Sequence, residues 1–152
     1  MCSRNSAMEK PGLEMEAVES AEVAARLGAE IAARYGPREE APLSLVMRDG
    51  AGALVAGLNG LTHWRWLYIR HLWVAPARRR EGLASRLIEA AERAACDRGA
   101  IGGYIDTFDP RVAAFYLRRG FSQVGEIADF PPGGQRIFLS KRLAPQGDAG
   151  EG

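Results

Sequence analysis

The stretch Val74–Leu87, VAPARRREGLASRL, joins a run of strand-forming residues to an amphipathic helix, and this junction decides the fold. Before it, the segment 66–74, WLYIRHLWV, is aromatic and β-branched and predicts a long buried strand. After it, apolar side chains recur at helical spacing and predict one buried helix face: Leu83, Leu87, Ile88, Ala91, Ala94 and Ala95. A strand–helix–strand unit over about residues 65–107 follows, and it requires a parallel strand pair with a right-handed crossover.

Further strands and a short helix flank this central unit. The segment 43–60, LSLVMRDGAGALVAGLNG, predicts a hairpin of two strands around the turn Asp49-Gly50. The segment 101–108, IGGYIDTF, predicts the strand that follows the central helix. Beyond it, the sequence predicts a short helix from Val112 to Gly120 and two last strands near 121–128 and 136–139.

Upstream, the sequence predicts one more strand and one more helix. Apolar residues alternate with acidic ones and predict a first strand at Leu13, Met15 and Ala17. A four-residue repeat then predicts a helix with an apolar stripe at Val23, Leu27 and Ile31. The predicted order is β-α-β-β-β-α-β-α-β-β. We therefore expect the α/β (mixed α+β) class, with a mixed sheet flanked by helices.

The composition excludes several classes of protein. The formal net charge is +1, so no overall positive field favours nucleic acid. The two cysteines, Cys2 and Cys96, form no metal or redox motif, and two histidines are too few for a histidine-rich metal site. Asp106 and Asp109 have no third ligand near them in the sequence, so we expect no metal.

The two ends of the sequence differ in composition from the region between them. They are polar or rich in Gly and Pro, which predicts one domain over residues 13–143 with disordered termini at 1–12 and 144–152. The first twelve residues lack the apolar region of a signal peptide, and no run of about 18 apolar residues occurs. We therefore expect a cytoplasmic protein that does not span a membrane.

The arginine-rich loop ahead of the central helix has three interpretations: a phosphate-binding site, a solvated basic loop or a nucleic-acid patch. The first N–H groups of a helix have no partner within it, and the helix dipole adds positive charge, so an anion binds there readily. Gly82 and the small Ala84 would let a phosphate approach the backbone, and Arg79 adds a charged side chain.

At this point the sequence resembles the GNAT superfamily of N-acetyltransferases. The acetyl-CoA loop of that family is matched in register by Val74, Pro76, Arg79, Gly82 and Ala84. A second motif of the family is matched by Phe115, Tyr116, Gly120 and Phe121. The resemblance covers about residues 13–143 and is closest to a bacterial single-domain subgroup with three more matching segments: 72–74, 106–108 and 131–143. The sequence departs from the usual residues at Arg70, Asp109, Val112 and Gly134.

The resemblance implies a fold and a cofactor. The fold is a mixed, mostly antiparallel sheet of six to seven strands with a central, splayed parallel pair. The cofactor is acetyl-CoA, with its diphosphate on the helix N-terminus and its pantetheine arm paired with the strand before it. The cofactor-binding residues implied are Leu72, Trp73, Val74, Arg79, Arg80, Glu81, Gly82, Leu83, Ala84, Ser85 and Asp109.

The resemblance also implies direct transfer of the acetyl group to an amine, with Tyr116 as the general acid that protonates the departing thiolate. Alternatively, Tyr116 only packs beside Phe115. The base is open: His71 titrates in the right range, and water relaying to a carbonyl is an alternative. Arg70 cannot be a base and, with Tyr68, is a candidate contact for the substrate.

The expected partner is a small molecule that carries a primary amine. A protein or peptide acceptor and a non-catalytic acyl-CoA sensor are the alternatives that the sequence leaves open. We expect no nucleic acid or membrane partner, and a homodimer is possible because dimers are common in this superfamily.

Overall fold

The computed structural model describes residues 9–144, and these fall into two compact units, the first ending at Pro37 and the second beginning at Arg38. Most of the predicted disordered ends, residues 1–8 and 145–152, lie outside this range. Within residues 9–144, no helix combines the length and the apolar character that crossing a membrane requires.

The first unit contains one helix, α1 (Ala21–Tyr35). Ser20 begins it by accepting a hydrogen bond from the Val23 N–H at 3.3 Å, and Gly36 ends it with a positive φ of 84°. This confirms the predicted helix, although none of its residues is buried.

The strand predicted at Leu13, Met15 and Ala17 is wrong. The structure forms no strand over residues 9–20, and the side chains of Leu13 and Met15 are fully exposed. The alternation of apolar and acidic residues lacked the one thing a strand needs, which is a neighbouring strand to satisfy its N–H and C=O groups.

The second unit is a six-stranded sheet with two α-helices. Its elements in chain order are β1 (Ala41–Arg48), β2 (Leu54–His63), β3 (Trp66–Val74), a 3-10 turn (Pro76–Arg78), α2 (Leu83–Asp97), β4 (Gly102–Thr107), α3 (Pro110–Arg118), β5 (Ser122–Ala128) and β6 (Gln135–Arg142). The strand order is β1-β2-β3-β4-β6-β5, and every neighbouring pair is antiparallel except β3 and β4. The mixed sheet with a central parallel pair confirms the predicted fold class.

Helix α2 supplies much of the core, as its sequence periodicity predicted. Five of the six apolar residues on the predicted face are buried, and Ala94 packs partly buried against the same cluster. They meet Leu67 and Ile69 of β3, which are also buried. Burial of this kind contributes about 25 cal/mol for each Å² of apolar surface removed from water, so the stripe fixes α2 on the sheet.

The parallel pair is short and then separates. Strands β3 and β4 pair through only three residues, Trp66 with Gly102, Leu67 with Gly103 and Tyr68 with Tyr104. Within the described chain, residues 69–74 of β3 therefore have no ladder partner on the β4 side. The predicted burial of the whole strand is wrong for this second half, where Trp73 is 45% exposed, because β4 no longer covers it.

A β-bulge at Arg70 changes which residues of β3 face the core. Asn59 of β2 pairs with His71 and Gly60 pairs with Ile69, so Arg70 is an extra residue in the ladder. Before the bulge the core-facing residue is Ile69, and after it Leu72 and Val74 pack against the same core. Regular alternation would have placed Leu72 on the opposite side of the strand from Ile69.

Gly60 is required where β2 crosses this bulge. A Cβ at this position would lie 2.4 Å from the backbone oxygen of Tyr68, which cannot move without shifting the strand. We expect Gly60→Ala to lower the free energy of unfolding in urea by about 1–3 kcal/mol, the usual cost of overpacking. The matched control is Gly125→Ala in β5, where an added Cβ meets nothing within 4 Å. Equal stability of the two variants would contradict this account of the bulge.

Candidate active site

A cavity of about 440 Å³ lies where the end of β3 meets the start of α2. We call it the loop cavity, and its lining residues come from β3, the arginine-rich loop, α2 and α3: Leu72, Trp73, Val74, Arg78, Arg79, Arg80, Gly82, Leu83, Ala84, Ser85, Arg111, Val112 and Phe115. Most of the residues predicted to hold a cofactor are therefore brought together around one space.

The N-terminus of α2 opens into this cavity without a side-chain cap. Gly82 is the N-cap residue, with a left-handed φ of 77°, and no side chain caps the helix there. Nothing lies within 4 Å of the position that a Gly82 Cβ would occupy. The first hydrogen bond of the helix runs from the Arg86 N–H to the Gly82 carbonyl, so the N–H groups of residues 83–85 precede it and are available to an anion.

The three arginines of the loop have different contacts. The Nε of Arg79 donates to the Val74 carbonyl at 3.2 Å, which ties the loop to the end of β3. Arg78 forms an ion pair with Glu81 at 2.8 Å. Arg80 adopts a positive φ of 72°, a backbone conformation in which few non-glycine residues are found.

Two predicted cofactor residues do not line the loop cavity. Glu81 instead holds Arg78 in the ion pair described above. Asp109 is the N-cap of α3, where its carboxylate accepts a hydrogen bond from the Arg111 N–H at 2.9 Å. This backbone hydrogen bond holds the pKa of Asp109 below its ordinary value. Their predicted contact with the cofactor stays a prediction.

A second cavity of about 570 Å³ lies where β3 and β4 separate. We call it the strand cavity, and it is lined by Tyr68, Ile69, Arg70, His71, Leu72, Trp73, Ile105, Asp106, Thr107, Phe108, Val112, Tyr116 and Arg136. Leu72, Trp73 and Val112 line both cavities. The two cavities therefore adjoin at these three residues, one at the N-terminus of α2 and the other beside the unpaired half of β3.

Tyr116 lines the strand cavity from α3 and is only 3% exposed. Its ring makes edge contacts with Phe115 and Phe121, with centroids 5.4 and 5.1 Å away. Burial, followed by the negative charge of Glu92, raises the pKa of Tyr116 well above its ordinary value. The phenol therefore stays protonated at neutral pH and can donate a proton in the strand cavity.

Asp106 places a carboxylate in the same cavity. Its Oδ1 accepts a hydrogen bond from the Tyr68 hydroxyl at 3.0 Å, and its Oδ2 lies 3.3 Å from the Nε of Arg136. Burial, followed by the hydrogen bond to Asp106, raises the pKa of Tyr68. The Tyr68 ring is in turn stacked on Tyr104 at 4.8 Å. A carboxylate accepts at about four positions, so Asp106 can take further hydrogen bonds from a ligand.

His71 and Arg70, the other predicted substrate-side residues, are exposed side chains at the rim of the strand cavity. The Nδ1 of His71 lies 3.4 Å from the Asn59 amide nitrogen. The guanidinium of Arg70 lies 5.7 Å from the centre of the Tyr68 ring. Neither residue is as enclosed by the cavity as Tyr116.

Sequence reasoning missed several lining residues. It weighed Asp106 as a metal ligand with Asp109, set that role aside and proposed no other role for the Asp106 side chain. Within residues 9–144, the structure has no group of three or more His, Cys, Asp or Glu side chains that could hold a metal ion. The available signal was the position of Asp106 at the end of the strand parallel to β3. Arg136 had no such signal, because it enters the site through the pairing of β6 with β4.

The two adjoining cavities combine a helix N-terminus suited to an anion, an unpaired strand edge, a buried phenol and a carboxylate. Such an arrangement is compatible with a group-transfer enzyme. Comparison with known proteins agrees. A family profile described as the acetyltransferase (GNAT) family matches residues 13–121.

Two curated relatives are acetyltransferases by name. Acetyltransferase Atu2258 of Agrobacterium fabrum is 36% identical over 111 residues, which are 73% of this chain and 81% of the relative. Blasticidin-S acetyltransferase of Streptomyces morookaense is 42% identical over 93 residues, which are 60% of this chain and 68% of the relative.

Solved structures share the fold. A crystal structure of a candidate acetyltransferase from Agrobacterium tumefaciens matches with a TM-score of 0.77 and 34% identity, covering 88% of this chain and 100% of that one. A candidate streptothricin acetyltransferase from Bacillus anthracis, solved in complex with acetyl coenzyme A, matches in fold with a TM-score of 0.59 and 20% identity. The match covers 71% of this chain and 64% of that one. The chain belongs to the GNAT family of acetyltransferases, and it is an N-acetyltransferase.

Proposed function

We propose that this enzyme binds acetyl-CoA and transfers the acetyl group to a primary amine of a small molecule by direct attack in a ternary complex. The observation that carries the proposal is that the loop cavity at the N-terminus of α2 adjoins the strand cavity that holds Tyr116 and Asp106. The loop cavity suits a diphosphate and the strand cavity suits an amine.

The loop cavity fits the phosphate-bearing part of acetyl-CoA. The free N–H groups of residues 83–85 and the side chains of the three arginines would hold the diphosphate, and the open space at Gly82 lets it reach the backbone. Residues 72–74 of β3 would hold the pantetheine arm, because their backbone groups on the β4 side have no ladder partner. N–H groups of the same strand are suited to polarise a carbonyl that gains negative charge.

The strand cavity fits the chemistry of transfer. Acetyl-CoA supplies a thioester: the nitrogen of the neutral amine bonds to its carbonyl carbon, the carbon–sulfur bond breaks and coenzyme A leaves as a thiol. The proton that the nitrogen loses passes to water, from which Tyr116 regains the proton that it gives to sulfur. Tyr116 would donate the proton that the sulfur takes, since its raised pKa keeps it protonated. Asp106 would hold the acceptor amine. Its carboxylate lies deeper in the cavity than the exposed His71, whose role as a base stays a prediction.

Two observations support a small molecule over a peptide. The strand cavity has a volume of about 570 Å³, within the ~300–1,000 Å³ typical of small-molecule sites. The relative that is 42% identical is named for acetylating blasticidin S, a small molecule. A protein acceptor and a homodimer stay predictions without a specific observation in their favour.

A thermal melt tests the donor site first. Acetyl-CoA at about 100 times its Kd should stabilise the folded protein by roughly 2.7 kcal/mol and raise the melting temperature clearly. ATP at the same concentration is the control, since it offers phosphates without the pantetheine arm. An equal shift with both ligands, or none with acetyl-CoA, would contradict the proposal. Thiol release with a panel of amines then tests the transfer itself.

A further inference from the structure

The strand cavity holds more positive charge than a simple amine acceptor needs. Three of its lining residues have charged side chains: Arg70, Asp106 and Arg136. Asp106 is the one acid among them. An acceptor that brought only an ammonium group would meet two guanidinium groups and one carboxylate.

Arg136 is held in place by its neighbours. Its guanidinium lies 4.2 Å from the centre of the Phe130 ring and 5.0 Å from that of Phe108. Its Nε is buried, has no hydrogen-bond partner in the described chain, and lies 3.3 Å from Asp106 Oδ2. Arg136 therefore offsets part of the charge of Asp106 and is fixed between two aromatic rings.

Arg70 has no such carboxylate. Among residues 9–144, no Asp or Glu lies within ion-pair distance of it. Its guanidinium lies over the ring of Tyr68, whose hydroxyl donates to Asp106. One tyrosine side chain thus has an unpaired cation at its ring and a carboxylate at its hydroxyl. The bulge at Arg70 interrupts the strand where this cation meets the cavity.

From this arrangement we infer that the acceptor is an amine that also carries a carboxylate. Asp106 binds the amino group, and the planar guanidinium of Arg70 binds the carboxylate with two parallel hydrogen bonds. Such a ligand neutralises both charges that the cavity leaves available. The inference rests on the proposed function, because it names the acceptor of that reaction: the amino nitrogen forms the amide bond and the carboxylate is unchanged.

Matched acceptor pairs test this inference. The acceptors are glycine, β-alanine and γ-aminobutyrate, each compared with its own carboxamide, and thiol release from acetyl-CoA gives kcat/KM. The wild-type enzyme should prefer at least one acid over its amide. In Arg70→Gln, kcat/KM should fall roughly tenfold to a hundredfold for that acid and stay within about twofold for the amide, since a charge-assisted hydrogen bond is lost. For each acceptor, kcat/KM of the variant is divided by that of the wild type. The difference in amine pKa between an acid and its amide then cancels.

Two further variants separate charge from shape. Arg70→Lys keeps the positive charge but lacks the planar guanidinium that can form two parallel hydrogen bonds, so it should retain only part of the preference for the acid. Arg70→Glu should reverse the preference towards the amide. Arg93→Gln, an exposed arginine of α2 outside both cavities, is the matched control and should change neither ratio.

The outcomes separate the inference from the proposed function. If the wild-type enzyme turns over the amines but prefers none of the acids to its amide, the inference alone is overturned. The same holds if Arg70→Gln lowers kcat/KM equally for the acid and the amide. Acetyl-CoA binding without turnover of any amine in the panel would overturn the proposed transfer and the inference with it. A melt of each variant with acetyl-CoA confirms that the donor site is intact.

Discussion

Replacing Gly82 with aspartate should weaken the binding of acetyl-CoA by more than about 100-fold, because like charges placed together in an interface cost several kcal/mol. The new carboxylate would stand at the N-cap of α2, beside the N–H groups that the diphosphate needs. It would also accept hydrogen bonds from those groups itself, as N-cap aspartates do. Isothermal titration calorimetry with acetyl-CoA measures the change directly.

The matched control is Gly82→Asn. Gly82 has a φ of 77°, and Asn and Asp are the non-glycine residues that most readily adopt this conformation. Nothing lies within 4 Å of the Cβ position, so both side chains fit equally well. The asparagine variant should therefore lose far less affinity than the aspartate variant. Equal losses would mean that shape, not charge, governs this position, and undiminished binding in Gly82→Asp would remove the diphosphate from the α2 N-terminus.

Replacing Tyr116 with phenylalanine should lower kcat by about 100-fold or more, the usual contribution of a general acid, while the Kd for acetyl-CoA stays the same. The tyrosine ring packs in edge contacts with Phe115 and Phe121, and phenylalanine preserves that packing. The variant should therefore fold normally. Single-turnover kinetics with a good acceptor would separate the chemical step from product release.

Tyr104→Phe is the matched control for this substitution. Tyr104 is partly buried, its hydroxyl lies 2.8 Å from the Nε2 of His63, and it lines neither cavity. Its loss should leave kcat nearly unchanged. An unaltered kcat in Tyr116→Phe would show that the phenol only fills space.

The raised pKa of Tyr116 also predicts a pH profile. The protonated form is the active form of a general acid, and a raised pKa keeps that form present to higher pH. The kcat of the wild-type enzyme should therefore show no alkaline decline below about pH 10, the ordinary pKa of tyrosine. A fall in kcat between pH 8 and 9 would assign the acid to another group.

The parts of the fold that follow from local periodicity could be predicted from the sequence. Strand β3 matches the predicted segment 66–74 at both ends, and the buried face of α2 matches its apolar repeat. The hairpin at Asp49-Gly50 also forms as expected. In each case the signal lies within one element. The segment with Leu13 and Met15 shows where such a signal fails. Its alternating apolar and acidic residues predicted a strand, but no neighbouring strand pairs with it, and both side chains are exposed.

The site was less predictable from the sequence, because it depends on where strands β3 and β4 separate and on which strands lie side by side. The motif residues Arg79, Gly82 and Tyr116 could be found because the family resemblance marks them. The pairing of Asp106 with Arg136 could not, since it arises from β6 lying beside β4, 30 residues apart in sequence. The exposure of Trp73 also follows from the departure of β4, which no pattern within β3 reveals.

The bulge at Arg70 has a consequence for how this enzyme can change over time. Under the proposed function, the bulge divides β3 into residues next to the proposed acceptor site, Tyr68 and Arg70, and residues 72–74, which would hold the donor. We expect mutations at Tyr68 and Arg70 to alter which amine is accepted without weakening the binding of the donor. Selection can thus retune the substrate range of the enzyme one residue at a time, and laboratory evolution towards new acceptors has a natural starting point at two positions.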